Sequence, residues 1–415
     1  MGPIAKPKIY PFYNSTYNIC HVSPLYHASG SPLEEQSLRV NAKRLKDNLK
    51  GDTLRGVEVG FSTSYPESLQ ECTWSLLGDE TQWTSANSTQ SDASNPTVTA
   101  ENARGIQIEL KYEKAVHSAM LLRDPQVQES RDPNFTSLPL LMLRMPAAVK
   151  EVVLDFLATS FDCYIAPLKL ESEFLTSALE GFISSLERHD SDWTAYNYRP
   201  SLQEILKNLQ IQIQFPVAAP SLKNLDITIA SEEVPLFLEQ GKILLAQQTQ
   251  QVQPGRKGSL GPFTTALSTY LDRHCAFSLS HPEVRISKVV CGAFALSSDS
   301  KVKLFTPTQI ELEEDQNTPE ISQNPVQKAM DGLFAALVAK ARPDSEKVDM
   351  LHDSGIEEAL QSEMVHQDVV DLVGRAKSPM KRAIRAEVST TSDVPDSPPP
   401  PYELHDSINN SSFLV

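Results

Sequence analysis

The sequence predicts an α+β protein: two antiparallel, partly mixed, curved β-sheets with helices on one face, followed by a largely disordered acidic tail with two amphipathic helices. Three observations predict it. Alternating apolar segments and amphipathic helices follow in irregular order rather than as a repeating β-α-β-α unit, which favours antiparallel sheets covered by helices. Hydrophobic residues make up 40% of the 415, enough for a real core in the first three quarters of the chain. After Phe305 the composition changes: from Thr306 onward 20 Asp+Glu stand against 9 Lys+Arg, a net of −11, with few aromatics, while residues 1–305 hold only −5 of the total −16. The expected organisation is a disordered 1–11, an α+β subdomain 12–160 with a flexible insertion at 85–105, a second α+β subdomain 161–305, and a tail 306–415 with helical islands at 326–341 and 354–375.

The elements follow from periodicity. Thr16–Val22 reads as a strand ended by Ser23-Pro24-Leu25-Tyr26, because proline removes a ladder donor. Ser31, Pro32 and Glu34 mark a capped helix that Gly51 stops. Its apolar positions Leu38, Ala42, Leu45 and Leu49 are shadowed one residue later by Arg39, Lys43, Lys46 and Lys50. This basic stripe fits either a solvated helix face or a contact to phosphate or an acidic partner. Val57, Val59 and Phe61 alternate with polar residues, as do Ile106, Ile108 and Leu110. Leu138–Met145 is another strand, a helix follows from about Ala147 to Leu157, and Asp162–Ile165 is a strand feeding a strongly amphipathic helix from about Glu171 to Glu187. Ile211, Ile213 and Phe215, then Leu225, Ile227 and Ile229, make two strands of a hairpin, and Gln240–Gly261 contains a Gln-rich loop.

Pro262–Phe305 closes the folded part. Proline opens a helix, Pro262–His274, whose Phe263, Ala266, Leu267, Tyr270 and Leu271 share a face. Strands Val284–Leu296 and Lys301–Phe305 follow, joined by a polar turn. Because the composition changes directly afterwards, this hairpin is expected at a sheet edge, where unpaired backbone groups are open to another chain. Arg285, Lys288, Lys301 and Lys303 form a small basic cluster. It fits a charged edge that resists aggregation, or a phosphate contact beside a partner-binding strand.

Enzyme signals are absent. Gly255-Arg256-Lys257-Gly258-Ser259-Leu260-Gly261 lacks the ending of a phosphate-binding loop, and no nucleophile-elbow or paired-histidine zinc motif occurs. Five cysteines without CxxC spacing read as buried thiols in a reducing compartment. No cofactor, metal or small-molecule substrate is expected. No apolar run approaches ~18 residues and the first thirty residues lack a secretion pattern, so a soluble, intracellular protein without membrane attachment is expected.

The tail holds two short interaction motifs. Ser378-Pro379-Met380-Lys381 fits a proline-directed, basic-tailed kinase site with Ser378 as acceptor. Pro399, Pro400 and Tyr402 form a PPxY ligand for a WW-type aromatic groove. On that motif alone, the chain fits a cytosolic adaptor recruiting a WW-domain ubiquitin ligase.

Several blocks in order resemble one family. Thr16-Tyr17-Asn18-Ile19-Cys20-His21-Val22 with Ser23-Pro24-Leu25-Tyr26, the capped helix, and Gly56-Val57-Glu58-Val59-Gly60 are similar to the opening of centromere protein L (CENP-L) in its fungal form. Phe161-Asp162-Cys163-Tyr164-Ile165-Ala166-Pro167-Leu168 resembles a second block; Tyr270–His274 and Val284–Phe305 resemble the closing one. Ser300 stands where the family pattern usually has glycine. The resemblance implies a non-enzymatic inner-kinetochore subunit in the nucleus, paired with a CENP-N-like subunit through its closing strands, near CENP-C-like protein and CENP-A nucleosomes, with a basic channel for centromeric DNA. It would place Val302, Leu304 and Phe305 at the pairing edge. Lys301 and Lys303 would lie on the DNA side.

Overall fold

A computed structural model describes residues 9–28, 30–54, 68–87, 98–125, 132–188, 202–215, 224–249, 261–279, 281, 283–306 and 325–342. The fold is α+β and antiparallel. An eleven-stranded sheet is accompanied by a two-stranded ribbon, β2 (Leu25–Tyr26) with β6 (Phe135–Thr136). The sheet contains β1 (Thr16–Val22), β3 (Leu69–Leu77), β4 (Gly105–Tyr112), β5 (Val116–Leu122), β7 (Leu140–Arg144), β8 (Ile165–Pro167), β9 (Leu209–Gln214), β10 (Asn224–Ile229), β11 (Arg285–Val290), β12 (Phe294–Ser297) and β13 (Lys301–Leu304). Its order is β10-β9-β11-β12-β13-β1-β7-β5-β4-β3, with β8 also on β1. β1 is the hinge of this order. Its first residues pair with β13, its last with β7 and β8, so one strand joins the two halves of the chain.

The helices are α1 (Glu35–Leu54), α2 (Glu80–Asn87), α3 (Ala147–Phe161), α4 (Ser172–Arg188), the short α5 (Leu202–Ile205), α6 (Val234–Thr249), α7 (Pro262–Cys275) and α8 (Pro325–Ala341). Strand side chains alternate between faces, so the two apolar clusters report which face each half buries. Ile106, Ile108, Leu121, Leu141 and Leu143 pack under α1 and α3. Ile211, Ile213, Val289, Leu296, Val302 and Leu304 pack on the opposite face, with Leu179, Phe182 and Ile183 of α4 and Phe263 and Leu267 of α7. The first half thus carries α1 and α3 on one face and the second half α4 and α7 on the other. Met120, Leu122, Leu140 and Met142, on the first half's opposite face, join the α4 and α8 side of the core.

Local chemistry explains most boundaries. Glu34 returns a carboxylate to the Ser31 N–H at 3.1 Å, and Leu33 N–H donates to Ser31 Oγ at 3.3 Å, so the expected reciprocal cap forms one turn ahead of α1. The helix runs to Leu54 and is not stopped by Gly51, since a lone glycine costs a helix only about 1 kcal/mol. Pro262 opens α7, and Ala276 ends it in the left-handed region at φ 55°. Asp162 ends α3 in the same way at φ 45°, so Asp162–Ile165 is a cap and link rather than a strand, and β8 starts at Ile165. The Gln-rich stretch is helical as far as Thr249, an extension of α6 whose glutamines are good helix formers. A Cβ on Gly241 would lie 1.8 Å from the Pro262 carbonyl oxygen, so glycine lets α6 meet the start of α7.

Three expectations fall wholly or partly outside the described residues: the strand at Val57–Phe61, the helix at 354–375, and residues 88–97 of the 85–105 insertion. The end of the 1–11 segment differs from expectation, because Tyr10 is buried in the core rather than loose. The second half of the chain also extends beyond β13. α8 lays Val326, Met330, Leu333, Phe334 and Leu337 into the α4 side of the core, and no described helix is long and apolar enough to cross a membrane.

Candidate partner and nucleic-acid interface

The segment Val284–Leu296 is two strands, not one. Cys291-Gly292-Ala293 turns the chain back, with the Cys291 N–H donating to the Phe294 carbonyl at 2.8 Å, and β11, β12 and β13 form a meander. In the second turn Ser300 adopts φ 59°, the left-handed conformation that glycine takes without strain.

β13 does not lie at an edge. It pairs with β12 on one side (Leu296↔Val302) and with β1 on the other (Tyr17↔Val302), and the Phe305 N–H donates to the Ala293 carbonyl at 2.9 Å. Its backbone groups are spent within the chain. Val302 and Leu304 are 0% and 2% exposed, so strand addition at Val302, Leu304 and Phe305 is corrected. The drop in apolar content after Phe305 marks the end of a run of elements along the sequence. It carries no information about which strand ends the sheet, and here a strand from near the amino terminus covers that side.

The three residues also divide between faces. Val302 and Leu304 enter the core, whereas Phe305 stacks under the Lys303 ammonium, with Nζ 4.8 Å from the ring centre. Lys301 and Lys303 share that outer face. The register carries it across the sheet, through Lys301↔Ser297↔Lys288↔Gln212↔Asp226 and Arg285↔Gln214↔Asn224. Arg285, Lys288, Lys301 and Lys303 therefore converge on one sheet face that no described helix covers, flanked by Gln210, Gln212 and Gln214 of β9 on one side and by Asn18 and Thr16 of β1 on the other. Lys288 and Lys301 sit two strand spacings apart, about 10 Å. Among the described residues, Asp226 is the single carboxylate on these strands of that face, and it accepts from Gln212 Nε2 at 2.8 Å. Such a surface holds phosphates through point charges and amides, which fix position without reading bases.

The α1 stripe is elsewhere. Arg39 pairs with Glu35, and Lys46 Nζ donates to the Gln70 carbonyl of β3 at 2.5 Å, so Arg39, Lys43, Lys46 and Lys50 belong to the β3 end of the sheet. β3 lies five strands from β13, roughly 24 Å. The two basic sets are separate surfaces. Ser378, Pro399, Pro400 and Tyr402 lie outside the described residues.

The ends of the sheet are β3 and β10, each pairing with one neighbour among the described residues. β10 was legible as a strand, but nothing in its own residues marks it as terminal. Its Leu225 and Ile227 are half-buried, and Asn224, Asp226 and Thr228 are exposed. It leads through Ala230–Glu233 into α6, whose Leu236 and Ile243 are 65% and 57% exposed.

A polar cluster that sequence periodicity does not reveal ties the amino terminus to α8. Tyr10 Oη donates to the Gly78 carbonyl and Tyr13 Oη to Glu80 Oε2, both at 2.7 Å, while Arg104 reaches Asp331 at 2.8 Å and stacks over Phe334. Burial raises both phenols and also the Glu80 carboxyl. Three aromatics in four residues, Tyr10, Phe12 and Tyr13, were the available signal. Burial pushes the Cys163 and Cys291 thiols up to about 11, far from the reactive thiolate. No group of three or more His, Cys, Asp or Glu among the described residues could hold a metal ion.

The folded core, which spans Tyr10 to Ala341, agrees in extent with one family: Centromere protein L, whose model matches residues 11–342. The chain belongs to the centromere protein L family. No curated protein matches it. The CENP-L family is a structural kinetochore family not known as enzymatic, and membership implies inner-kinetochore complex partners and a place at the centromere in the nucleus. The match includes α8, which a division at residue 305 would have placed in the tail.

Proposed function

We propose that this CENP-L member is a non-enzymatic scaffold that pairs with a CENP-N-like subunit by strand addition at β10, and that its open basic face supports centromeric DNA beside CENP-A and CENP-C-like neighbours. The observation that carries the pairing is the strand order. β13 is interior, and β10 ends the sheet with one side of its ladder unmatched among the described residues. The DNA contact rests on four cations, Arg285, Lys288, Lys301 and Lys303, gathered on a face whose described strands carry a single carboxylate, Asp226. Cations in this number give sequence-independent, salt-sensitive binding.

The pairing is tested by proline substitution. In an antiparallel ladder successive residues direct their N–H groups inward and outward in turn, so of Asp226→Pro and Ile227→Pro one removes an outward donor and leaves the β9 ladder intact. The variant that keeps the wild-type circular dichroism should lose co-purification with the CENP-N-like subunit. Undiminished binding by that folded variant would overturn the reading.

A further inference from the structure

We infer that the partner engages two layers at once, a strand against β10 and an apolar helix bordered by Lys or Arg against the outer face of α6. This rests on the strand-addition reading above and names the chemistry of the partner. The body of the second half has a sheet layer and a helix layer. Among the described residues, its long helices meet in the order α8, α4, α7, α6, with the one-turn α5 also against α6, so α6 is the last long helix of that layer as β10 is the last strand of the sheet. The two terminal elements are joined by only four residues, Ala230–Glu233, and therefore stop on the same side.

What each terminal element lacks is different. Among the described residues, β10 lacks a second ladder partner on the side away from β9. α6 turns Val234, Leu238 and Gly241 into the body and leaves Leu236 and Ile243 outside. Seven residues apart, these two project from one face of the helix, about 10 Å from each other. Exposed aliphatic side chains at that spacing match the apolar seam of a second helix, which a strand alone would not cover.

Charge selects the occupant. Glu232, Glu233 and Glu239 are exposed around the aliphatic pair, and the nearby cation, Lys242, is engaged by Glu187 at 3.0 Å and Glu239 at 3.8 Å. A second copy of this chain across a two-fold axis would bring these carboxylates, and Asp226 of β10, against their own equivalents. Like charges meeting at an interface disfavour it. A helix with aliphatic residues between Lys or Arg residues fits both the seam and its border.

The experiment uses the full chain co-expressed with the CENP-N-like subunit. Affinity is measured for Leu236→Asp/Ile243→Asp, for Glu232→Lys/Glu233→Lys/Glu239→Lys, and for the folded β10 proline variant. All the substituted side chains of α6 and its preceding link are exposed, so melting temperatures should stay at the wild-type value, and the charge-reversal variant tests the same face without altering the aliphatic pair. Each of the two α6 variants should bind at least tenfold more weakly. If both bind as wild type while the β10 proline abolishes binding, the helix contact is overturned and strand addition stands. If none of the three weakens binding, both readings fall. A chain that is dimeric alone by light scattering and becomes monomeric with Leu236→Asp/Ile243→Asp would overturn the choice of a basic partner in favour of a second copy.

Discussion

Arg104 and Asp331 meet at 2.8 Å across 227 residues of sequence, the guanidinium also lying 5.1 Å from the centre of the Phe334 ring. This contact joins the loop before β4 to α8. Phe12 stacks on the same ring, at 5.1 Å between centroids, so the amino-terminal segment, the sheet and α8 share one locus. α8 is part of the folded body for that reason, although the segment before it is rich in acid and poor in aromatics.

Removing Arg104 would leave Asp331 partly buried without its ion pair and Phe334 without its cation. Arg104→Met should weaken α8 docking by about 1–3 kcal/mol. Hydrogen exchange is the measurement: amides of Pro325–Ala341 should lose protection while those of β4 and β5 keep theirs.

Glu80 gives a pH dependence with a definite sign. Its carboxyl is raised chiefly by burial, against the Tyr13 hydrogen bond, so the folded state holds the proton more tightly than the unfolded state. Stability from this group is therefore greatest at low pH and falls as pH rises from the unfolded carboxylate value through the raised folded one. Glu80→Gln keeps an acceptor for Tyr13 and removes the charge. Its urea midpoint relative to wild type should rise between pH 4 and pH 7, and an unchanged difference would show that Glu80 titrates as in the unfolded chain.

Ser300 holds φ 59° in the turn before β13, where its carbonyl accepts from the Ile19 N–H at 2.8 Å. A left-handed residue with a Cβ costs about 1–2 kcal/mol, part of which glycine returns as unfolded-state entropy. Ser300→Gly should raise stability by about 0.5–1 kcal/mol, read as a higher urea midpoint at unchanged slope.

The basic face predicts a salt dependence for duplex DNA. Each phosphate contact removed should reduce the slope of log K against log salt by about 0.9. Lys288→Ala and Lys301→Ala should each do so, measured by fluorescence anisotropy of a labelled duplex. Lys43→Ala and Lys50→Ala on α1 should leave the slope unchanged, because that stripe belongs to the β3 end of the sheet.

Much of the element pattern was present in the sequence by itself. Thr16–Val22 has the expected bounds, α7 begins at Pro262, and Ile211/Ile213 pair with Ile227/Leu225 as a hairpin, because alternation and capping depend on residues within a few positions of each other. The absence of familiar catalytic motifs was legible for the same reason. Strand order was not. β13 carries the same backbone donors and acceptors whether it ends a sheet or lies inside one, and its neighbour β1 is almost three hundred residues away in the chain. Only the tertiary fold decides that Val302 is enclosed, that Phe305 faces Lys303, and that β10 is terminal. The cause is that ladder hydrogen bonds form between main-chain groups every residue shares, so side chains set which face is buried and the assembled sheet alone sets which edge remains open.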